Sequence, residues 1–140
     1  MTAPVGWTCP RCGRRFARPG QTHVCAEATT LGEYFANARP HERPVFEAVY
    51  EFLSTLGPIH VEPVAVGIFL KKRGSFVELR PKSKWVAISF PMPRRVRHPR
   101  ITRKPIEAGT AVYHYANLRT PDDLDEALRE ILAESYDFAE

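Results

Sequence analysis

Three cysteines and one histidine constrain the first 25 residues more tightly than any other feature constrains the rest of the chain. Cys9 and Cys12 stand in a Cys-Pro-Arg-Cys-Gly run; ten residues then separate Cys12 from His23, and Cys25 follows two places later. A Cys-x-x-Cys turn presents two thiolates from one tight knuckle, and its backbone N–H groups can donate to sulfur. Gly13 can take the positive φ that such a turn often needs. Residues two apart in an extended segment share a face, so His23 and Cys25 can reach the same point. Three sulfurs and one imidazole suit a tetrahedral zinc ion, and four protein ligands leave no position for water or substrate. The motif therefore predicts a structural Zn²⁺ site at Cys9, Cys12, His23 and Cys25. Trp7 and Phe16 serve as apolar props, and Arg11, Arg14, Arg15 and Arg18 offset the thiolate charge. So short a module has almost no other core, and its folding should depend on metal. The competing reading is a redox pair at Cys9 and Cys12, but no thioredoxin-like βαβ pattern surrounds it. An odd number of cysteines, all within the first 25 of 140 residues, argues against a closed disulfide set.

The chain divides into a zinc-binding module with its connector over 1–29 and a second unit over 30–140. Thr30-Leu31-Gly32-Glu33 reads as a capping box opening a short helix. A second helix, with Pro40 and Pro44 near its start, carries Val45, Phe46, Val49, Phe52, Leu53 and Leu56 as one apolar stripe. Gly57-Pro58 stops it. Residues 61–71, 75–80, 84–90 and 111–118 are rich in β-branched and aromatic types and read as four strands. Residues 91–109, with four prolines and seven basic groups counting His98, read as a long arm. Thr120-Pro121-Asp122-Asp123 then opens a last helix, with Leu124, Leu128, Ile131 and Leu132 on one side. Helices before and after an antiparallel sheet of about four strands define an α+β domain. No run of ~18 apolar residues exists, so no membrane span is expected. The N-terminus lacks the pattern of a secretory signal, which points to the cytoplasm.

Charge is segregated along the chain. Residues 71–104 hold twelve Lys or Arg against a single acid, Glu78, whereas residues 105–140 hold nine acids against two bases. Lys71, Lys72, Arg73, Arg80, Lys82 and Lys84 fall on strands or their turns, and Arg94, Arg95, Arg97, Arg100, Arg103 and Lys104 fall on the arm. Alternation places Val64, Val66, Ile68, Leu70, Val77, Leu79, Val86, Ile88 and Phe90 on a core face. The opposite face receives Phe69, Lys71, Phe76, Glu78, Arg80, Trp85 and Ser89. Aromatic rings interleaved with cations make a platform of the kind that stacks bases and attracts phosphates. The expected function is binding of DNA or RNA through this basic sheet and arm. The alternatives are an adaptor whose basic surface meets an acidic protein, and an enzyme whose site the spacing does not disclose. The acids of the last helix offer a competing fate for the cations, as internal ion pairs.

Nothing in the sequence assigns a catalytic residue. Glu78-Leu79-Arg80 has the acid of a nuclease-type strand, but arginine replaces the expected lysine and cannot readily act as a base. His114 has no serine or cysteine nucleophile near it and reads as a structural histidine. The helix ending Leu56-Gly57-Pro58, the strands around Phe69-Leu70-Lys71 and Ser75-Phe76-Val77, the Arg80-Pro81-Lys82 turn and the closing Asp123-Leu124-Asp125-Glu126-Ala127-Leu128 helix into Ser135-Tyr136 carry a resemblance. Over about residues 30–138 the chain resembles a bacterial family known only as a domain of unknown function, number fifty-six fifty-five. The Cys-Pro-x-Cys-Gly-Arg-x-Phe and Gln-x-His-x-Cys stretches resemble the zinc module that some members carry in front. The resemblance implies an α+β domain and no established activity.

Overall fold

A computed structural model of the chain describes residues 6–23, 25 and 29–139. Of the expected connector at 26–29, residues 26–28 lie outside the described residues. Two short strands, β1 (Trp7–Thr8) and β2 (Arg15–Phe16), pair antiparallel to form the ribbon of the N-terminal module. Helices α1 (Leu31–Phe35) and α2 (Glu42–Ser54) follow, then strands β3 (His60–Val64), β4 (Gly67–Lys71), β5 (Ser75–Pro81), β6 (Val86–Met92), β7 (Ile106–Ala108) and β8 (Ala111–Leu118). A 3-10 turn at Pro121–Asp123 leads into α3 (Glu126–Phe138). The six longer strands form one antiparallel sheet in the order β3-β4-β5-β6-β8-β7. The architecture is a mixed helix and sheet fold, with six main strands where about four were expected.

Local signals explain most of the elements. Thr30 Oγ1 accepts from the Glu33 N–H at 3.1 Å and Glu33 Oε1 accepts from the Thr30 N–H at 3.4 Å, completing the expected capping box of α1. Val45, Phe46, Val49 and Leu53 of α2 are buried, while Phe52 and Leu56 flank them half-buried. Leu128, Leu132 and Tyr136 of α3 join them on one face of the sheet. The sheet meets them with Ile68, Leu70, Val77, Leu79, Val86, Ile88, Phe90, Met92, Ala116 and Leu118. Full burial of each large apolar side chain stabilises the fold by roughly 1.5–3 kcal/mol. Ser135 Oγ donates to the Pro91 carbonyl at 2.6 Å and fixes α3 against β6.

The fold departs from expectation in four places. The segment 61–71 is a hairpin, because the chain turns at Ala65 and Val66; Val66 is thereby 59% exposed and leaves the core face. Gly67 follows because a Cβ there would lie 2.5 Å from the Leu79 carbonyl oxygen of β5. β7 adds an edge strand through a turn at Gly109, where φ is +62°. The last helix starts at Glu126, capped by Asp125 Oδ1, which accepts from the Leu128 N–H at 2.8 Å; Thr120 caps only the preceding 3-10 turn. The arm is packed rather than loose. Val96 is buried, the Asn117 N–H donates to the Arg100 carbonyl at 3.0 Å, and the enclosed His98 ring pairs with Asp125 at 2.9 Å. Among the described residues no helix is long and apolar enough to cross a membrane.

Candidate metal centre

The ribbon of β1 and β2 brings the four sequence-predicted ligands together. The Gly13 N–H donates to the Cys9 carbonyl at 2.8 Å and the Cys9 N–H to the Arg14 carbonyl at 2.9 Å, closing the knuckle. Gly13 takes φ +74°, the left-handed conformation that glycine adopts at no steric cost. The ligand atoms of Cys9, Cys12, His23 and Cys25 all lie within 4.8 Å of one another. Cys9 Sγ is 4.0 Å from Cys25 Sγ, Cys12 Sγ is 3.5 Å from His23 Nε2, and Cys25 Sγ is 3.2 Å from His23 Nε2. Bonds of ~2.3 Å to sulfur in a tetrahedron put the ligands about 3.8 Å apart. The cage therefore fits a tetrahedral metal ion.

The imidazole is oriented for this role. His23 Nδ1 donates to the Gln21 carbonyl at 2.6 Å, which leaves Nε2 bare toward the sulfurs. Phe16 stacks on the ring at 3.9 Å between centroids and Trp7 meets it edge-on at 6.1 Å, so the expected props are in place. The backbone N–H of Cys12 is the chief cause that brings the Cys9 thiol down to about 6, and such a thiol is a ready metal ligand. Burial, followed by the neighbouring sulfurs of Cys9 and Cys12, pushes the Cys25 thiol up. Coordination reverses such a shift by deprotonating the thiol outright.

The module docks on the sheet through charges that the sequence reading assigned elsewhere. Glu62 of β3 is 3% exposed and faces away from α2 and α3. Its Oε1 accepts from Arg14 Nε at 2.7 Å and pairs with Lys71 Nζ at 2.8 Å; its Oε2 accepts from the Arg15 N–H at 2.9 Å and lies 3.3 Å from His60 Nε2. Lys71 also donates to the Arg15 carbonyl, and the Arg14 guanidinium lies over Phe69 at 4.9 Å. Burial alone would raise the Glu62 pKa. The donors His60, Lys71, Arg14 and the Arg15 N–H outweigh it and hold the carboxyl well below the ordinary carboxylate range. Burial lowers the Lys71 pKa against the opposing pull of Glu62.

The expected nucleic-acid set is thus rearranged. Lys71, 1% exposed, is a docking residue because the module covers it. Lys72 Nζ donates to the carbonyls of Tyr136 at 2.6 Å and Ala139 at 2.8 Å, at the C-terminal end of α3. Arg94 clasps Glu134 at 2.7 and 3.0 Å, Arg95 pairs with Glu107 at 3.0 Å, Arg100 with Asp123 at 3.0 Å, and Arg80 with Glu78. Arg73, Lys82, Lys84, Arg97 and Lys104 have no carboxylate partner among the described residues. Phe76 is buried against Tyr136, and Trp85 precedes β6 under the Arg119 guanidinium. The aromatics left on the outer face are Tyr113 and Tyr115 of β8. Tyr115 lies in the cross-strand row Glu62, Phe69, Glu78, Ser89, Tyr115, and Arg103 covers its ring at 4.1 Å. Sequence reading missed Glu62 and these tyrosines, although a single acid inside the apolar run His-Val-Glu-Pro-Val was a visible signal.

His114, inside the core, accepts at Nε2 from the Val96 N–H at 3.1 Å and donates from Nδ1 to the Val112 carbonyl at 3.0 Å. Both nitrogens are occupied, as a structural histidine requires.

The protein is a mixed helix and sheet fold in which a Cys/His cluster that could hold a metal ion sits on the outer face of a six-stranded sheet, with α2 and α3 on the other. The chain belongs to the family described as a domain of unknown function, DUF5655, which matches residues 31–139. The metal cage precedes that match. No curated protein and no solved structure matches the chain.

Proposed function

We propose that this protein binds single-stranded nucleic acid across the uncovered half of its outer sheet face, with a structural zinc ion holding the module over the other half. The observation that carries the reading is the Tyr115 ring, half-exposed on β8 beneath the Arg103 guanidinium, with Tyr113 two residues away on the same face. Base–aromatic stacking contributes about 1–3 kcal/mol per base without sequence preference, and Arg adds cation–π attraction. Lys82, Lys84, Arg97 and Lys104 supply positive charge free to meet phosphates. The pairs Arg94–Glu134, Arg95–Glu107 and Arg100–Asp123 are at the surface, where an ion pair is worth ~0–1 kcal/mol, so phosphates can displace the carboxylates at small cost. Three sulfurs and an imidazole favour zinc over harder cations, and four protein ligands make the ion structural.

The test is fluorescence anisotropy of a mixed-sequence single-stranded oligonucleotide at several salt concentrations. Tyr115→Ala should weaken binding about tenfold, Tyr115→Phe should not, and Arg103→Gln should flatten the salt dependence. Affinity that ignores salt, or that survives Tyr115→Ala unchanged, refutes the reading. An acidic protein partner, the alternative, would depend on the same cations but not on the Tyr115 ring.

A further inference from the structure

A groove of about 660 Å³ runs between the metal module and the main sheet, and it shares only Tyr113 with the proposed nucleic-acid face. It is lined by Ala17 and Arg18 of the module, Arg73 and Gly74 of the β4–β5 turn, Thr110 and Tyr113 at the start of β8, and the end of α3 at Phe138 and Ala139. Both guanidiniums are exposed, and neither Arg18 nor Arg73 has a carboxylate partner among the described residues. Among the described residues, Glu62 is buried under Arg14, and the charge of Asp137 on α3 acts on Lys72.

The walls of this groove are fixed from two sides. The module rests on the turn at van der Waals distance: a Cβ built at Gly6 would lie 3.8 Å from the Arg73 carbonyl oxygen, and one built at Gly74 would lie 3.7 Å from the Ala17 Cβ. The C-terminal end of α3 would ordinarily repel an anion, since its last carbonyls carry partial negative charge. Lys72 donates to two of those carbonyls, Tyr136 and Ala139, and cancels that repulsion on the wall the groove shares with α3. The result is a recess with two guanidiniums that no described carboxylate pairs, two hydroxyl side chains (Thr110 and Tyr113) and no carboxylate among its described lining residues.

We infer that this groove is a binding site for a phosphate monoester dianion, held between Arg18 of the metal module and Arg73 of the sheet. Guanidinium is the group best matched to a phosphate, because its planar fork donates two parallel N–H bonds to two oxygens. A monoester carries close to two negative charges at neutral pH and three terminal oxygens, enough to engage both arginines and a hydroxyl together. A diester in mid-strand offers one charge and two such oxygens. The site therefore favours a terminal phosphate over an internal one. Because Arg18 lies between the ligands Cys12 and His23, the site exists only while the metal cage holds that loop against the turn.

The metal-loaded chain is titrated by calorimetry with three probes: a nucleoside monophosphate, a 5′-phosphorylated oligonucleotide, and the same oligonucleotide ending in a hydroxyl. The nucleoside monophosphate should bind, and Arg18→Gln or Arg73→Gln should each weaken it about tenfold, the loss expected for one charge-assisted contact. Arg43→Gln, exposed on α2 and outside this groove, should not. Chelation of the metal should abolish the binding. A gain for the 5′-phosphorylated over the hydroxyl-ended strand, lost in Arg73→Gln, identifies a strand terminus as the source. Binding of the monophosphate without that gain identifies a free small molecule. Equal affinity of wild type and Arg73→Gln for both phosphorylated probes overturns the inference. Binding of the hydroxyl-ended strand reports separately on the tyrosine face, so either proposal can fail while the other stands.

Discussion

Replacing Glu62 by glutamine keeps the shape of the side chain and removes its charge, leaving Arg14 and Lys71 facing a neutral amide. In the native protein Glu62 gathers Arg14 Nε at 2.7 Å, Lys71 Nζ at 2.8 Å and the Arg15 N–H at 2.9 Å. The Lys71 and Arg14 side chains are only 2% and 8% exposed, so water cannot take over the lost contacts. Removing one partner of a buried ion pair costs about 3–5 kcal/mol, chiefly through the uncompensated charge left behind. Two buried cations place Glu62→Gln toward the upper end of that range. For a chain of this length a loss of that size lowers Tm by roughly 10 °C or more. Denaturant unfolding of the metal-loaded protein measures it directly. A triple replacement, Glu62→Leu with Arg14→Met and Lys71→Met, removes all three charges together and should recover most of the loss. A change below about 0.5 kcal/mol in Glu62→Gln, of the size seen at ordinary surface positions, would show that the cluster is not desolvated and that the docking argument is wrong. The pH dependence carries a sign of its own. The folded-state pKa of Glu62 is depressed, so its contribution is complete above the unfolded value of about 4.3 and is lost as pH falls below it toward the folded value. Glu62→Gln should flatten that acid limb.

Cys12→Ser should release the bound metal, measured by elemental analysis, and abolish the protection of the Trp7 indole against a fluorescence quencher; unchanged metal content would refute the assignment. Burial pushes the His114 imidazole below its ordinary value, so the neutral ring's contribution is intact above about pH 6.5 and falls as pH drops from there. His114→Gln should remove that slope, and an unaltered stability profile between pH 7 and 5 would contradict it. Gly67→Ala forces a methyl group to within 2.5 Å of the Leu79 carbonyl, and overpacking of this kind costs about 1–3 kcal/mol; an unaltered unfolding midpoint would show that β4 can move away from β5.

What the sequence disclosed was whatever depends on neighbours close in the chain. The Thr30–Glu33 capping box, the positive φ of Gly13 and the convergence of Cys9, Cys12, His23 and Cys25 are local geometry, and each was readable from spacing. The α2 stripe was readable because Val45, Phe46, Val49 and Leu53 repeat at helical period. The turn at Ala65-Val66 was hidden because β-branched residues run through it without the Asn-Gly or Asp-Gly signal of a tight hairpin. The start of α3 was displaced because two capping signals follow each other, at Thr120 and at Asp125. Only the placement of Leu128 and Leu132 against the sheet decides which one opens the helix. Charge was the least legible quantity. Counting by segment placed Lys71 in a basic block, whereas the fold joins it with Glu62 in one buried cluster. The Arg94–Glu134 and Arg100–Asp123 pairs likewise span stretches of opposite sign.

The seat of the metal knuckle imposes a rule on related chains. Glu62 and Lys71 belong to the part of the protein shared with the family, yet the roof over them is furnished by Arg14, Arg15 and Phe16, which come from outside it. In a relative with no such appendage both side chains would stand in water, where their attraction shrinks to a surface contribution of ~0–1 kcal/mol and either is replaceable alone. Chains that carry the appendage should hold an acid and a base at these two positions together, and chains without it should let them drift apart.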